Sequence, residues 1–339
     1  MKLYHLSHID LDGYGCQFLT NLAFEKKRFY NANYGPEVRA RLEQMIRDIN
    51  NDSEEEILLL VSDLNLSVSE CNYLQTQQEK SAKNIKLQLL DHHITGKDSD
   101  EQFGWYHLDN SRCATQITYE YVNENFKDIS KYETLVKAIN AIDIWLMDDA
   151  LFEFGKVCMG MIDGAREFNR IMFDSEDREY KFYLIKEAAK FLDKGAIALD
   201  ENCFFIKKRY FLKHSNDILD NLIAANVVEL LSAHKERLTI FYKGYKGIIG
   251  YGIGKSSVIG NAFLVKNPDY NFYLDVAFRG KISLRGNSSA DVSQIAKELF
   301  GGGGHKNASG GRIEKFKETF IYEEAKAQVQ DIITLKSSI

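Results

Sequence analysis

The stretch LQLLDHHITG, Leu87 to Gly96, sets a run of apolar side chains directly against Asp91, His92 and His93. The run has the length and composition of a buried strand. The three residues after it can all bind a metal or move a proton, and Thr95-Gly96 then reads as a turn. A lone acid at a strand end is usually a turn or cap residue. Three such groups in a row call for partners elsewhere in the chain.

The same pattern recurs around it. Strands are expected at LYHLSH, RFYNANY and EILLLVSD, ahead of the strand ending in DHH. Helices are expected at GCQFLTNLAFEKK, with Phe18, Leu22 and Phe24 near one face, and at EVRARLEQMIRDIN, with Val38, Leu42, Met45, Ile46 and Ile49 at helical spacing. SVSECNYLQTQQEK, SRCATQITYEYV and KYETLVKAINAIDIWL read as further helices. Strand–helix alternation implies a doubly wound parallel sheet with helices on both faces. A charge-rich helical stretch follows, and strands return in LTIFYKGYKGIIGYG, YNFYLDVAF and KISLRGN. The expected division is a catalytic α/β domain at 1–185, a helical connector at 186–237 and a smaller α/β domain at 238–339.

In an open parallel sheet the carboxyl ends of the strands line one crevice, where ligands bind. HIDLDG brings His8, Asp10 and Asp12 to the first strand's end, where alternate residues of an extended chain point the same way. Gly13 then permits the turn into the helix. VSDLN brings Asp63, and NAIDIW offers Asp143 in an otherwise apolar helical stretch. So many carboxylates in one crevice repel one another unless cations neutralise them. Oxygen-rich ligation with a histidine or two suits Mn²⁺ or Mg²⁺ better than a structural zinc site. Two such ions sharing a carboxylate are the usual arrangement for phosphate-ester hydrolysis.

A second feature is RGNSSADVSQIAKELFGGGGHKNASGGR, residues 285–312. Between Arg279 and Arg312 stand Arg279, Lys281, Arg285, Lys297, Lys306 and Arg312 against Asp291 and Glu298, a cationic patch in a chain of net charge −6. The glycine run reads as a loop whose backbone lets a phosphate approach, with His305 and Lys306 adding donors. GYGIGKSS resembles a nucleotide-binding P-loop, but Ile249 stands where GxxxxGK[ST] needs glycine. KSSVIGNAFL reads instead as a helix start with Ser256 or Ser257 near its N-cap.

Bulk properties limit the rest. A 339-residue chain with 45% hydrophobic and 27% charged residues has ordinary globular composition and length for two domains. Net negative charge argues against coating long nucleic acid. Five scattered cysteines without a CxxC pair point to reduced thiols in a cytoplasm. No apolar stretch approaches a membrane span, and no secretory leader is evident.

Taken in order, HIDLDGYG, VSDLN, LLDHHITG, NAIDIW and GGGGHKNASGG resemble the DHH phosphoesterase family with its C-terminal DHHA1 domain, most closely the NrnB-type oligoribonucleases that degrade very short RNAs. The resemblance implies a DHH domain joined to a DHHA1 domain and two divalent ions, Mn²⁺ with Mg²⁺ or Co²⁺ as substitutes. It implies that Asp10 and Asp12 each hold one ion, that Asp63 bridges them, and that His92 and Asp143 complete the second site. His8 lies two residues before Asp10, where many relatives place their histidine four before. By the resemblance Asp91 and His93 are catalytic, Asp91 supporting the histidines and His93 meeting the substrate. Arg285, Asn287, Gly303, Gly304 and His305 match the region that holds the substrate's phosphate and terminal nucleotide. The implied activity is hydrolysis of short single-stranded oligoribonucleotides to mononucleotides by a metal-activated water, with little sequence specificity. Its alternatives are a pAp phosphatase, a linear or cyclic dinucleotide phosphodiesterase, and an inactive nucleotide-binding module. The implied partners are short RNA or dinucleotides, with no membrane and with a homodimer left open.

Overall fold

The apolar runs form strands β1 (Lys2–Ser7), β2 (Lys27–Asn31), β3 (Glu56–Ser62) and β4 (Asn84–Asp91), joined by β5 (Tyr106–Leu108). The computed structural model describes residues 1–212 and 216–337. Residues 213–215 and 338–339, inside the expected connector and second domain, lie outside the described residues. All five strands are parallel, in the order β2-β1-β3-β4-β5. Helices α1 (Leu11–Ala23), α2 (Pro36–Asn50), α3 (Val68–Lys80), α4 (Lys97–Asp100), α5 (Ala114–Asn125), α6 (Glu133–Asp143) and α7 (Phe152–Asp163) accompany them. The central strand β3 is buried on both faces, which explains its unbroken apolar run Ile57–Val61. Leu58 and Leu60 face a layer with Leu3, Leu90 and Ile117 of α5. Leu59 and Val61 face the opposite layer with Leu42, Met45 and Ile49 of α2 and Leu74 of α3. Each such leucine contributes about 1.5–3 kcal/mol by leaving water. The strand order reverses at β1 and β3, and a doubly wound sheet binds its ligand outside that point.

The chain divides into two units, one of Met1–Ala165 with Tyr180–Ile206 and one of Arg166–Glu179 with Lys207–Ile339. The boundary falls within α8 (Asp174–Ala188) and α9 (Gly195–Phe211), and α10 (Leu219–Ala233) and α11 (Lys235–Leu238) belong to the second unit. The stretch expected as a connector, 186–237, is therefore shared between the units. Among the described residues no helix is long and apolar enough to cross a membrane. All five cysteines are free thiols.

The second unit holds β6 (Thr239–Tyr242), β7 (Tyr245–Tyr251), β8 (Phe272–Val276), β9 (Lys281–Gly286), β10 (Gly303–His305) and β11 (Ala308–Arg312) in the order β10-β11-β9-β8-β7-β6. The β7–β8 pair alone is parallel, with α12 (Ser256–Lys266) between its strands in sequence. The helix starts at Ser256, as expected, with Lys255 in a left-handed conformation (φ 54°) as its N-cap. Helix α13 (Val292–Phe300) buries Val292, Ile295 and Leu299, and α14 (Tyr322–Ser337) closes the chain.

The glycine run departs from the expected open loop. Gly301 ends α13 with φ 60°, and Gly303–His305 pairs with β11 as an edge strand. A Cβ on Gly302 would lie 1.9 Å from the Gly310 carbonyl oxygen, and one on Gly304 (φ +146°) would lie 2.7 Å from that of Ala308. Two backbones pass too closely there for side chains, so glycine is required by packing. Gly303 faces open space.

Candidate active site

The acids reach the carboxyl edge of the first sheet by different local devices. β1 ends at Ser7, and the chain turns before the expected alternation can act. Asp10 is the N-cap of α1, its Oδ1 accepting from the Gly13 N–H at 2.9 Å while its Oδ2 lies 2.8 Å from His8 Nδ1. Gly13 lies inside α1, and a Cβ there would meet the His8 carbonyl oxygen at 2.4 Å, so its role is close approach. Asp12, in the first turn of α1, is almost fully buried, and its two oxygens accept from Ala114 and Thr115 N–H at 2.8 and 2.7 Å. Those donors open helix α5, whose N-terminus favours a negative charge. Asp63 follows β3 with φ 55°, a left-handed conformation that aspartate tolerates better than most residues.

Three carboxylates then converge on His92. Its Nε2 stands 3.8 Å from Asp12 Oδ2, 3.5 Å from Asp63 Oδ1 and 3.6 Å from Asp143 Oδ2. His8 Nδ1 lies 3.7 Å from Asp63 Oδ2. Such separations exceed a hydrogen bond. They bring donor atoms together without letting them satisfy one another, and Asp63 Oδ2 and Asp143 Oδ2 are buried with no hydrogen-bond partner. Three groups have ligand atoms within 4.8 Å of one another: His8, Asp10 and Asp63; Asp63, His92 and His93; and Asp12, Cys113 and Asp143. Asp63 belongs to two of them.

The electrostatics agree. Burial, then the charges of Asp10 and Asp12, pushes the Asp63 carboxyl well above the usual carboxylate range. Burial, then Asp12, raises Asp143 to about 8. Its place in the last turn of α6, the negative end of that helix, works in the same direction. Burial opposes charge on His8, but its hydrogen bond to Asp10 and the nearby carboxylate of Asp63 outweigh it and raise its pKa to about 10. A divalent cation removes this conflict by neutralising the acids. The carboxylate-and-imidazole set suits a hard or borderline ion, so the residues present fit a metal.

Asp91 and His93 form a separate pair. Asp91 is 0% exposed, so it has no access to substrate. It takes His93 Nδ1 at 2.7 Å and the Tyr106 hydroxyl at 3.2 Å, so it orients His93 and leaves His92 to the other acids. In the second unit, Arg285, Ala308 and His305 stand in register across β9, β11 and β10. Directly paired residues share a sheet face. Arg285 donates to the Ser257 hydroxyl. Asn287 is committed to its own turn, donating to the Tyr270 carbonyl at 2.7 Å and accepting from the Ser289 N–H at 3.2 Å. Phe272 and Tyr273 are buried in the core and offer no face for a base.

Sequence reasoning missed two neighbours. Cys113, the buried N-cap of α5, stands beside Asp12 and Asp143. Tyr34, after β2, has its hydroxyl 3.0 Å from His93 Nε2 and its ring 4.7 Å from that of His8. The signal for Tyr34 was its place at the end of a strand whose neighbours all supply site residues.

No protein-family model matches the chain. A 3',5'-cyclic-nucleotide phosphodiesterase of Helicobacter pylori (strain ATCC 700392 / 26695) is 43% identical over 343 aligned residues, 98% of this chain and 99% of that protein. The chain belongs to the family of that phosphodiesterase. The crystal structure of an uncharacterized protein from Helicobacter pylori G27 superposes on this relative of the phosphodiesterase with a TM-score of 0.93, at 43% identity over 99% of both chains. More distantly, the oligoribonuclease NrnB of Bacillus subtilis (strain 168) is 25% identical over 95% of this chain and 76% of its own length.

Proposed function

We propose that the chain is a divalent-metal phosphodiesterase that hydrolyses 3',5'-phosphodiester bonds of small ribonucleotides. The observation that carries this reading is the cluster itself, with a buried, unpartnered carboxylate oxygen on each of Asp63 and Asp143 around His92 at the sheet's switch point. His8, Asp10 and Asp63 would hold one ion, and Asp12, Asp63, His92 and Asp143 the other, with Mn²⁺ preferred and Asp63 common to both. Metals bound there supply positive charge to the phosphoryl oxygens and a more acidic water. The Ala114 and Thr115 N–H groups fix Asp12, and Asp91 fixes the tautomer of His93 by taking its Nδ1–H, which turns Nε2 outward. Arg285, Asn287, Gly303, Gly304 and His305 are proposed contacts for the substrate's phosphate and terminal nucleotide.

Two substrate readings have support. Short oligoribonucleotides follow from the DHH/DHHA1 resemblance and from likeness to NrnB, and the chain's near full-length likeness to the Helicobacter enzyme favours 3',5'-cyclic nucleotides. Both require attack of water on phosphorus and departure of a ribose oxygen that takes up a proton. Hydrolysis with Mn²⁺ of cyclic AMP, a ribodinucleotide, a five-nucleotide RNA and pAp, followed by chromatography, separates them. Cleavage of pAp alone, or of none, would overturn the phosphodiesterase proposal.

A further inference from the structure

We propose that Tyr34 is the positioning residue that fixes the ring of His93 at the mouth of the cluster, an assignment that rests on the phosphodiesterase reading above. Tyr34 is held in a defined turn. Its N–H donates to Asn33 Oδ1 at 2.9 Å, and the Asn33 N–H donates to Glu37 Oε2 at 2.9 Å. Gly35 follows with φ 93°, and Pro36 opens α2 at its first helical position. The turn is therefore tied by hydrogen bonds on either side of the Tyr34 amide.

The hydroxyl meets His93 Nε2 at 3.0 Å, and the ring stands edge-on to His93 at 5.7 Å between centroids. The buried Asp91 takes the other ring nitrogen at 2.7 Å. With Nδ1–H donated to Asp91, Nε2 of the neutral ring accepts from the tyrosine O–H. His93 is thus gripped at both nitrogens, by a carboxylate below and by a hydroxyl above. Tyr34 is 43% exposed, which puts it at the mouth of the cluster. Its ring also lies against His8, 4.7 Å between centroids, so one side chain braces His8 as well as His93.

The test is a double-mutant cycle on the Mn²⁺-loaded protein with Y34F, H93A and Y34F/H93A, reading kcat and KM for a ribodinucleotide, with bound manganese measured on each protein. Y34F keeps the ring and removes the hydroxyl, and should lower kcat about tenfold with KM nearly unchanged, the effect of one lost hydrogen bond. The double variant should be no slower than H93A, because Tyr34 acts through His93. In the metal-free protein, Y34F should move the ring-nitrogen NMR signal of His93 Nε2 and leave that of the buried His5 in place. Independent, multiplying losses would overturn the proposal, as would a rise in KM alone or a loss of manganese in Y34F. H93A with full activity would instead overturn the part assigned to His93, whatever Y34F does.

Discussion

The carboxyl edge of the first sheet and the glycine hairpin of the second both stood out in the sequence, and physically they are opposites. At the first, charged groups converge and remain unsatisfied, as the buried oxygens of Asp63 and Asp143 show. At the second, the unusual residues are explained by packing. Gly302 and Gly304 are where backbones cross, and Asn287 ties its turn to the Tyr270 carbonyl. A pattern that breaks the rules of stable folding points to chemistry, and one that obeys them points to the fold. Asp143 and Asp275, one acid with a raised pKa from each region, sharpen the contrast. Asp143 is raised by burial and by Asp12, whereas burial alone raises Asp275 to about 7 while Ile253 N–H partly offsets it.

The largest effect is expected at Asp63. Asp63→Asn keeps a residue that tolerates the left-handed backbone but removes the shared charge, and should reduce dinucleotide hydrolysis by about three powers of ten. Without metal, the variant's thermal midpoint should hold or rise, because repulsion is relieved. Near wild-type turnover, or a lower metal-free midpoint, would dissolve the contrast.

Asp275→Asn comes next. A carboxyl whose folded pKa lies above its unfolded value disfavours the native state as pH rises from about 4 to about 7. The asparagine variant should be more stable at pH 8 by about 2–4 kcal/mol, and equal to wild type near pH 4. Denaturant melts at both pH values read this, and Mn²⁺ should leave the difference unchanged. If Mn²⁺ abolishes it, Asp275 belongs to a metal site and the two regions are alike.

His305→Ala should weaken kcat/KM for a ribodinucleotide by about one to two powers of ten, the loss of a hydrogen bond to a charged phosphate. It should barely affect bis-p-nitrophenyl phosphate. Equal losses on both substrates, with weaker manganese binding, would move His305 into the metal cluster. The smallest effects concern the hairpin. Gly302→Ala should destabilise the protein by about 1–3 kcal/mol and Gly303→Ala by almost nothing, since only the first meets backbone. Equal thermal shifts would mean that the glycines are not there for packing.

Much of the first region was legible because strand ends announce themselves. Ile57–Val61 is an unbroken apolar run with Asp63 two residues beyond it, and Leu87–Leu90 is apolar apart from Gln88 and runs straight into Asp91. What stayed hidden depended on long-range placement. The Asp12 contact with Ala114 spans 102 residues, and β5 has three residues and no pattern of its own. The edge strand β10 was unreadable because glycine carries no strand preference. Asp143 was found as an acid in an apolar segment, but only the fold shows that it ends a helix.

The most direct measurement is a titration of the metal-stripped protein with Mn²⁺, following bound metal and hydrolysis of a ribodinucleotide together. The expected result is no turnover without metal, and activity rising as Mn²⁺ fills the cluster, with Asp63→Asn failing to recover it. Turnover by the metal-free protein, or Mn²⁺ that binds equally well to Asp63→Asn and restores its activity, would contradict the assignment of these acids as the phosphodiesterase's metal centre.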